Sequence, residues 1–225
     1  MITGVSLGTT LVQTRGSIGG ARSVFVKLQG MKNDLVFPTF GGMLQNPFRQ
    51  GGKIFAGDLF EYRTDDNGLH PKLYLLKTFV VSATSTGKTI KIRRDGYVHV
   101  PSVGDVLMVA PEKVGGEGTT TTVTNVAISD GLYTLTVDTS LSVSQNDVLV
   151  EADSDGTMLV KNPNTWAATD YDLFYAPATG DEDFDGARYM ITPALHAIAY
   201  TNRMSPLPDC VKALNRSKVN GWFEI

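Results

Sequence analysis

The chain has 225 residues, of which 42% are hydrophobic, so it is long enough for one sizeable domain or two small ones around an ordinary core. With 19% charged residues and a net charge of -3, it lacks the basic excess that binding to many phosphates requires, which argues against nucleic acid as a partner. No apolar run reaches the length of about 18 residues that a membrane span needs, and the first residues lack the pattern of a secretion signal, so neither is expected.

The first 52 residues differ from the rest of the chain. They hold ten of the 23 glycines, and five basic residues against one acidic residue give them a charge of +4, which leaves -7 for the remainder. Large apolar side chains stand among these glycines, and a free linker would not expose so many to water. We predict that residues 1–52 form an extended arm that packs on a partner surface.

The texture changes from Lys53 onward to short stretches rich in β-branched and aromatic residues, separated by Gly, Asp, Asn and Pro. Lys88–Arg93 alternates apolar and polar residues, and Asp95-Gly96 predicts a turn into a returning strand at Tyr97–Val100. A second hairpin is predicted from Thr121–Ile128 to Leu132–Asp138, around Ser129-Asp130-Gly131. The fold class is therefore mainly β: a barrel or sandwich body with an extended N-terminal arm and one short C-terminal helix.

A weak internal repeat supports this interpretation. The segments AGDLF, VGDVL and QNDVL, which begin at Ala56, Val103 and Gln145, each place a Gly-Asp or Asn-Asp pair directly before an apolar strand. Their spacing is too irregular for a solenoid, so we interpret them as tight turns that tolerate positive φ and feed a barrel or sandwich strand.

Three regions follow from these patterns. We predict the arm at 1–52, a β-barrel or sandwich domain at 53–152, and a smaller β-rich C-terminal region at 153–225. In the last region, residues 188–200 read as a strand interrupted by Pro193, and Pro208 and Asp209 are typical of the start of a short helix near 209–215.

Histidine and cysteine are too sparse to suggest catalysis. Cys210 is the single cysteine, which excludes an intrachain disulfide and a cysteine-based metal site. His70, His99 and His196 lie in separate segments, with no serine or cysteine in a recognised nucleophile pattern. We expect no catalytic residue and no cofactor. A glycan-cleaving enzyme remains an alternative that would need paired carboxylates in a groove.

Two short motifs suggest ligands. Ser85–Thr89 matches the end of a phosphate-binding loop, but Ser82 stands where that loop needs glycine and a strand follows, so we predict a turn. An acidic segment has carboxylates at the spacing of a Ca²⁺ loop, and its candidate ligands are Asp181, Asp183 and Asp185. Thr192 stands where such a loop needs glutamate, so an acidic surface turn is the default interpretation and a non-helical Ca²⁺ loop the alternative. Asp153 and Asp155 are a weaker version of the same pattern.

An aromatic cluster follows in NPNTWAATDYDLFYAP. Trp166, Tyr171 and Tyr175 are candidates for stacking on sugar rings, although aromatics in a loop-rich stretch also serve as anchors of a small core.

In its architecture the chain resembles the auxiliary capsid, or head decoration, proteins of tailed bacteriophages, such as those of crAss-like phages. The likeness lies in the glycine-rich opening, the turns in IFAGDLFEYR and VPSVGDVLMVA, the hairpin TTTTVTNVAISDGLYTLTVD and the compact C-terminal segment, and it covers residues 40–215. The smallest decoration proteins are much shorter, and the acidic second half departs from them.

This resemblance implies a structural virion protein that binds the major capsid protein shell and neighbouring virion subunits, without catalysis. It would lie on the outer capsid surface after assembly in the host cytoplasm, without nucleic acid, membrane or small-molecule partners. The residues expected to contact the capsid are Phe37, Phe40, Phe48, Arg49 and Lys53, the aromatic ones as apolar anchors and the basic ones paired with acidic shell residues. The alternative is a head or tail fibre component that binds host glycans through the aromatic cluster.

Overall fold

A computed structural model of the chain describes residues 42–46, 53–64, 71–95, 98–168, 170–172, 190–191, 193–194, 199–200, 204–214 and 222–223. In this part of the chain the protein is mainly β, as predicted, with one short helix. The strands, in chain order, are β1 (Gly42–Leu44), β2 (Lys53–Ile54), β3 (Leu59–Arg63), β4 (Lys72–Leu75), β5 (Thr78–Val80), β6 (Thr89–Arg93), β7 (Val106–Val109), β8 (Thr120–Ser129), β9 (Leu132–Val137), β10 (Val148–Glu151), β11 (Thr165–Trp166), β12 (Tyr171–Asp172), β13 (Met190–Ile191), β14 (Ala199–Tyr200) and β15 (Trp222–Phe223). The helix, α1 (Asp209–Lys212), follows β14.

Six strands form a closed antiparallel barrel. Their order is β5-β10-β7-β8-β9-β6, and each neighbouring pair is antiparallel. The two ends of this sheet meet where Val81 bridges to Ile92 and the Ser82 N–H donates to the Lys91 carbonyl at 2.8 Å. Closure satisfies backbone groups that an open sheet would leave at its edges.

Alternation along the strands fills the barrel. In β6, Ile90 and Ile92 are buried while Thr89, Lys91 and Arg93 are exposed, which is the period of two expected for a strand with one face in a core. Strands β5, β7 and β10 are instead buried at consecutive positions, and their inward side chains complete the apolar barrel interior. Its fully buried members include Phe79, Val81, Ile90, Ile92, Leu107, Leu135 and Leu149.

A second sheet packs beside the barrel, with strand order β11-β3-β4-β1-β13. Strand β1 lies in its interior, parallel to β4 and antiparallel to β13. A Cβ on Gly42 would lie 2.6 Å from Leu73 Cγ, so the close approach of β1 to β4 needs glycine at this position. Residues 42–46, which fall inside the predicted arm of 1–52, therefore belong to the body.

The sheet and the barrel share one apolar core. Leu59 of β3, Met108 of β7, Val150 of β10 and Trp166 of β11 all lie in it, and α1 covers it with Cys210 and Val211. The predicted helix near 209–215 is thus confirmed at 209–212. Because β11 and β13 join the sheet of β3 and β4, the sequence ranges 53–152 and 153–225 do not form separate sheets. In the described part of the chain, no helix is long and apolar enough to cross a membrane.

The two predicted hairpins have different outcomes. The hairpin of β8 and β9 is confirmed: Ser129 pairs with Leu132, and Asp130 and Gly131 take φ values of 52° and 74°, as the tight turn requires. The hairpin from Lys88–Arg93 to Tyr97–Val100 is wrong. Strand β6 instead pairs with β9 along its whole length, and Val98–Val100 form no strand.

The repeated Gly-Asp and Asn-Asp segments are three copies of one turn. Each has a residue in the left-handed region, with φ of 86° at Gly57, 92° at Gly104 and 73° at Asn146. In each, the following aspartate accepts the N–H of the residue three positions earlier: Phe55 to Asp58 at 2.6 Å, Ser102 to Asp105 at 2.8 Å and Ser144 to Asp147 at 2.7 Å. The sequence interpretation of these segments as turns before strands is confirmed.

We expect Gly104→Ala to lower the free energy of unfolding by about 1–2 kcal/mol, since a Cβ is strained at this φ. The matched control is Gly87→Ala, because an added Cβ at Gly87 meets nothing within 4 Å, and it should change stability by less than about 0.5 kcal/mol. Urea unfolding of both variants measures the difference. Equal losses would contradict the assignment of strain to the turn.

Candidate functional site

A lysine lies where the chain crosses from the second sheet to the barrel. Lys77 stands between β4 and β5, and its side chain is 0% exposed. Its Nζ lies 3.0 Å from Asp105 Oδ1 and 2.7 Å from Glu151 Oε1. Asp105 closes the turn before β7 and Glu151 ends β10, so two barrel strands supply the carboxylates. We call Asn46, Lys77, Asp105 and Glu151 the junction network.

Asn46 links the end of β1 to this network. Its side-chain amide accepts the Leu75 N–H and donates to the Leu75 carbonyl, so it pairs with β4 as a further strand residue would. The same Nδ2 donates to Glu151 Oε2. A residue just after β1 is thereby bonded both to the second sheet and to the barrel.

Burial sets the electrostatics of the junction network. Burial alone lowers the pKa of Lys77, but the adjacent Glu151 and Asp105 carboxylates outweigh it and hold that pKa above its ordinary value of 10.5. Burial raises the pKa of Glu151 above its ordinary value of 4.5, against the opposing pull of Lys77. A buried charge is tolerated only when paired and hydrogen-bonded, and here the lysine has two carboxylate partners.

A second buried cluster lies beside it and is centred on His99. The Thr78 N–H donates to His99 Nδ1 at 3.0 Å, so the ring proton belongs on Nε2, which lies 3.0 Å from Asp58 Oδ2. The Ser205 hydroxyl donates to the other oxygen of Asp58. Asp58 precedes β3 in the second sheet and Thr78 begins β5 in the barrel, so this cluster also spans the two.

The His99 cluster does not have the order of a catalytic triad. Its serine donates to the aspartate, whereas a nucleophilic serine must donate to the histidine that deprotonates it. Asp58, His99 and Ser205 are also only 1%, 1% and 4% exposed. The arrangement therefore orients buried groups by hydrogen bonds, and it presents no nucleophile to a substrate.

The loop of Asp153 is closed by its own hydrogen bonds. The carboxylate accepts the N–H groups of Asp155 and Thr157, each at 3.0 Å, and lies 3.1 Å from Lys161 Nζ. Burial opposes ionisation, but the bonds from Thr157, Lys161 and Asp155 outweigh it and lower the pKa of Asp153 to about 2. Protein donors thus bond to the Asp153 carboxylate, one of the two that the sequence pattern offered to Ca²⁺. Within the described residues, no group of His, Cys, Asp or Glu is placed to hold a metal ion.

A shallow groove lies on the barrel surface between the segment before β8 and Ser140–Ser142. Its volume is about 740 Å³, and its charged lining residues are Glu112, Lys113 and Glu117. All three are exposed, so the groove contains no buried charged side chain.

The predicted capsid contacts fall mostly outside the described residues, where Phe37, Phe40, Phe48 and Arg49 lie. Lys53 begins β2 and is half-buried, with its Nζ 5.6 Å from the centre of the Phe55 ring. The Ca²⁺ candidates Asp181, Asp183 and Asp185 also lie outside the described residues.

The predicted sugar-stacking site needs a correction at Trp166. Its side chain is 0% exposed in the shared core, and its backbone pairs with Leu59 in β3. A ring enclosed in this way offers no face to a sugar, so Trp166 is a core anchor. Tyr171 pairs through its backbone with Ile54, and Tyr175 lies outside the described residues.

Sequence reasoning missed Asn46, Lys77 and Glu151 as a site. The signal was present at Lys77, since a single lysine interrupts the apolar run LYLLKTFVV and so must find partners when that run is buried. Asp58 and Asp105 were recognised as turn residues, but their long-range partners lie 41 and 28 residues away in sequence.

Comparison with known proteins gave no match to a protein-family model, a curated protein or a solved structure. The geometry defines a mainly β protein in which buried charges join a six-stranded barrel to a second sheet.

Lys77→Met should destabilise the fold by about 3–5 kcal/mol, because it leaves two buried carboxylates without their cation. Lys212→Met is the matched control: Lys212 pairs with Asp209 at the surface, and its loss should change the urea midpoint little. A loss at Lys77 no larger than that at Lys212 would contradict the role of the junction network.

The stabilisation by Lys77 should depend on pH in the alkaline range. Because the folded pKa of Lys77 lies above its ordinary value of 10.5, its contribution is complete below pH 10.5 and is lost as the pH rises through the folded value. The difference in unfolding free energy between wild type and Lys77→Met should therefore shrink above that pH. Urea titrations from neutral pH to about pH 12 test this, and an unchanged difference would overturn it.

Proposed function

We propose that this protein is a structural virion protein that binds the major capsid protein shell of a tailed-phage head and decorates or stabilises it. In this proposal residues 1–41 make the contact, and the two-part β body anchors them. The observation that carries it is the direct continuation of the basic, glycine-rich segment into β1, an interior strand of the second sheet.

The position of β1 suits a segment that must bear load. The N–H groups of Met43 and Gln45 donate to carbonyls beside and within β4, each at 2.8 Å, and Asn46 continues the connection to Leu75 and Glu151. Tension on residues 1–41 would reach paired backbone on both sides of β1 and then the junction network. An interior strand resists such displacement better than a strand at an open edge, since it has hydrogen-bonded neighbours on both sides.

The buried ionisable groups support a binding role over a catalytic one. Asp58, Lys77, His99, Asp105 and Glu151 are each at most 5% exposed, and they bond to one another or to the backbone. Catalytic groups must reach a substrate in a cleft, whereas these groups are buried and form the bonds that join the sheet to the barrel.

Charge favours an acidic surface as the partner of the N-terminal segment. Residues 1–41 carry Arg15, Arg22, Lys27 and Lys32 against Asp34 alone, whereas the chain as a whole has a charge of -3. Individual contacts of this kind are weak, but a repeating shell presents many equivalent sites at high local concentration.

We expect the full chain to cosediment saturably with empty heads of its cognate major capsid protein, and we expect a chain lacking residues 1–41 to stay in the supernatant. The deletion stops before Gly42 so that β1 remains, and its urea midpoint should match that of the full chain. A variant with residues 1–41 replaced by a Gly/Ser stretch of equal length separates sequence from length. Undiminished binding by either variant would contradict the proposal.

A second set of variants in the same experiment tests whether basic residues of the N-terminal segment contact an acidic surface. Replacing Arg15, Arg22, Lys27 and Lys32 by glutamine should weaken binding and reduce its sensitivity to salt. Binding that is unaffected by these changes would exclude an electrostatic contact.

A further inference from the structure

Among the residues that the structure describes, the outer half of β8 has an open edge. Strand β9 pairs with β8 up to Ser129, but on the other side β7 pairs only as far as Thr122. The last backbone bonds on that side join Val123 to the turn before β7: the Gly104 N–H donates to Val123 O at 2.7 Å, and the Val123 N–H donates to Asp105 O at 2.9 Å. From Thr124 to Ser129, no described residue pairs with β8 on this side.

The register of the hairpin identifies the open groups. Ser129 and Leu132 flank the two-residue turn and form its hydrogen-bonded pair, so Ala127 and Asn125 also bond to β9. The residues between them, Val126 and Ile128, therefore direct their N–H and C=O groups away from β9. These groups form the free edge.

This edge lacks the features that usually protect an exposed strand. The segment Thr124–Ser129 reads TNVAIS and contains no charge and no proline. Ile128 is 59% exposed and Val103 is 42% exposed, and they are the two exposed large apolar residues of the described chain. Both lie on this side of the hairpin, since Val103 directly precedes Gly104.

We propose that the open edge of β8 pairs antiparallel with the same edge of a second copy of this chain. The outward groups of Val126 and Ile128 are two positions apart, so a two-fold axis at Ala127 sets Val126 of each copy opposite Ile128 of the other. This register completes four backbone hydrogen bonds and is the isologous contact that a symmetric dimer requires.

The side chains fit the same register. Ile128 gains the neighbouring Val126 of the other copy as cover, and the two Ala127 side chains meet at the close, non-hydrogen-bonded pair. Asn125 faces Ser129, and Thr124 faces Asp130. No like charges oppose each other, so the edge is complementary to itself.

The proposed contact between two β8 edges is small, so the dimer should be weak. Four backbone bonds and a few side chains cover less than a stable dimer interface needs, so we expect a weak dimer in reversible exchange with monomer. Many such contacts on a repeating surface would add up through local concentration.

Sedimentation velocity of the full chain over a concentration series tests the proposal. Wild type should show concentration-dependent dimer formation, and Ile128→Pro should weaken it by roughly tenfold or more, because each copy loses one outward N–H. Proline is tolerated at 128 since that N–H is not used within the hairpin. Ile128→Ala keeps the N–H and should weaken the dimer less than proline does.

Far-UV circular dichroism and urea midpoints check that each variant is folded. If Ile128→Pro does not fold, Ile128→Lys provides a second block by placing a charge in the pairing edge. A wild-type chain that remains monomeric overturns the proposal, and so does a folded Ile128→Pro or Ile128→Lys chain that dimerises as wild type does. The proposed contact is made by β8, and its test uses no phage heads, so a failure of this proposal and a failure of the proposed head binding are distinguishable.

Discussion

The fold depends on a lysine that must remain charged inside the protein. Lys77 occupies the link between the second sheet and the barrel, and its Nζ meets a carboxylate from the turn before β7 and another from the end of β10. An ammonium ion without these partners would be too costly to bury, and the partners without it would repel each other. The sheet, the crossing segment and the barrel can therefore reach their packed arrangement only together.

The need to pair Lys77 explains why buried polar groups lie at the junction of the second sheet and the barrel, although apolar packing in the shared core would by itself hold the two together. Apolar packing is non-directional, whereas the bonds of Lys77, Asn46 and the His99–Asp58 pair allow one relative position of sheet and barrel. A body fixed in this way suits a protein that transmits load from an N-terminal segment, and it leaves binding to surfaces away from the core. The proposed contacts, residues 1–41 and the edge of β8, are both of that kind.

Tight turns could be predicted from the sequence, but the pairing of strands that are distant in the chain could not. The β8–β9 turn and the three Gly-Asp or Asn-Asp turns follow from residues that tolerate positive φ, so a short stretch of sequence contains the whole reason for each. The partner of β6 could not be found in this way, because alternation at Ile90 and Ile92 predicts a buried face without naming the neighbouring strand. The β6–β9 ladder joins two segments that are distant in the sequence, Thr89–Arg93 and Leu132–Val137.

The same limit explains the missed site. Gly42 looked like part of an arm because glycine breaks regular structure, yet here it admits β1 against Leu73. The sequence left Trp166 open between a sugar-stacking aromatic and a core anchor, and the packing of β11 on β3 places it in the core. Only Lys77 carried a sequence signal of the missed site, since a charge within a buried apolar run requires a buried counter-charge wherever the fold places it.

Native-state hydrogen exchange tests most directly whether the junction network makes sheet and barrel one cooperative unit. The Gln45 N–H bonds to Leu73 O in the second sheet, and the Ala110 N–H bonds to Val148 O in the barrel. The account predicts that increasing denaturant brings both amides to exchange through the same global opening, with the same free energy. If the Gln45 amide opens in a separate, less stable unit while the Ala110 amide stays protected, the network does not couple the two parts and the account is contradicted.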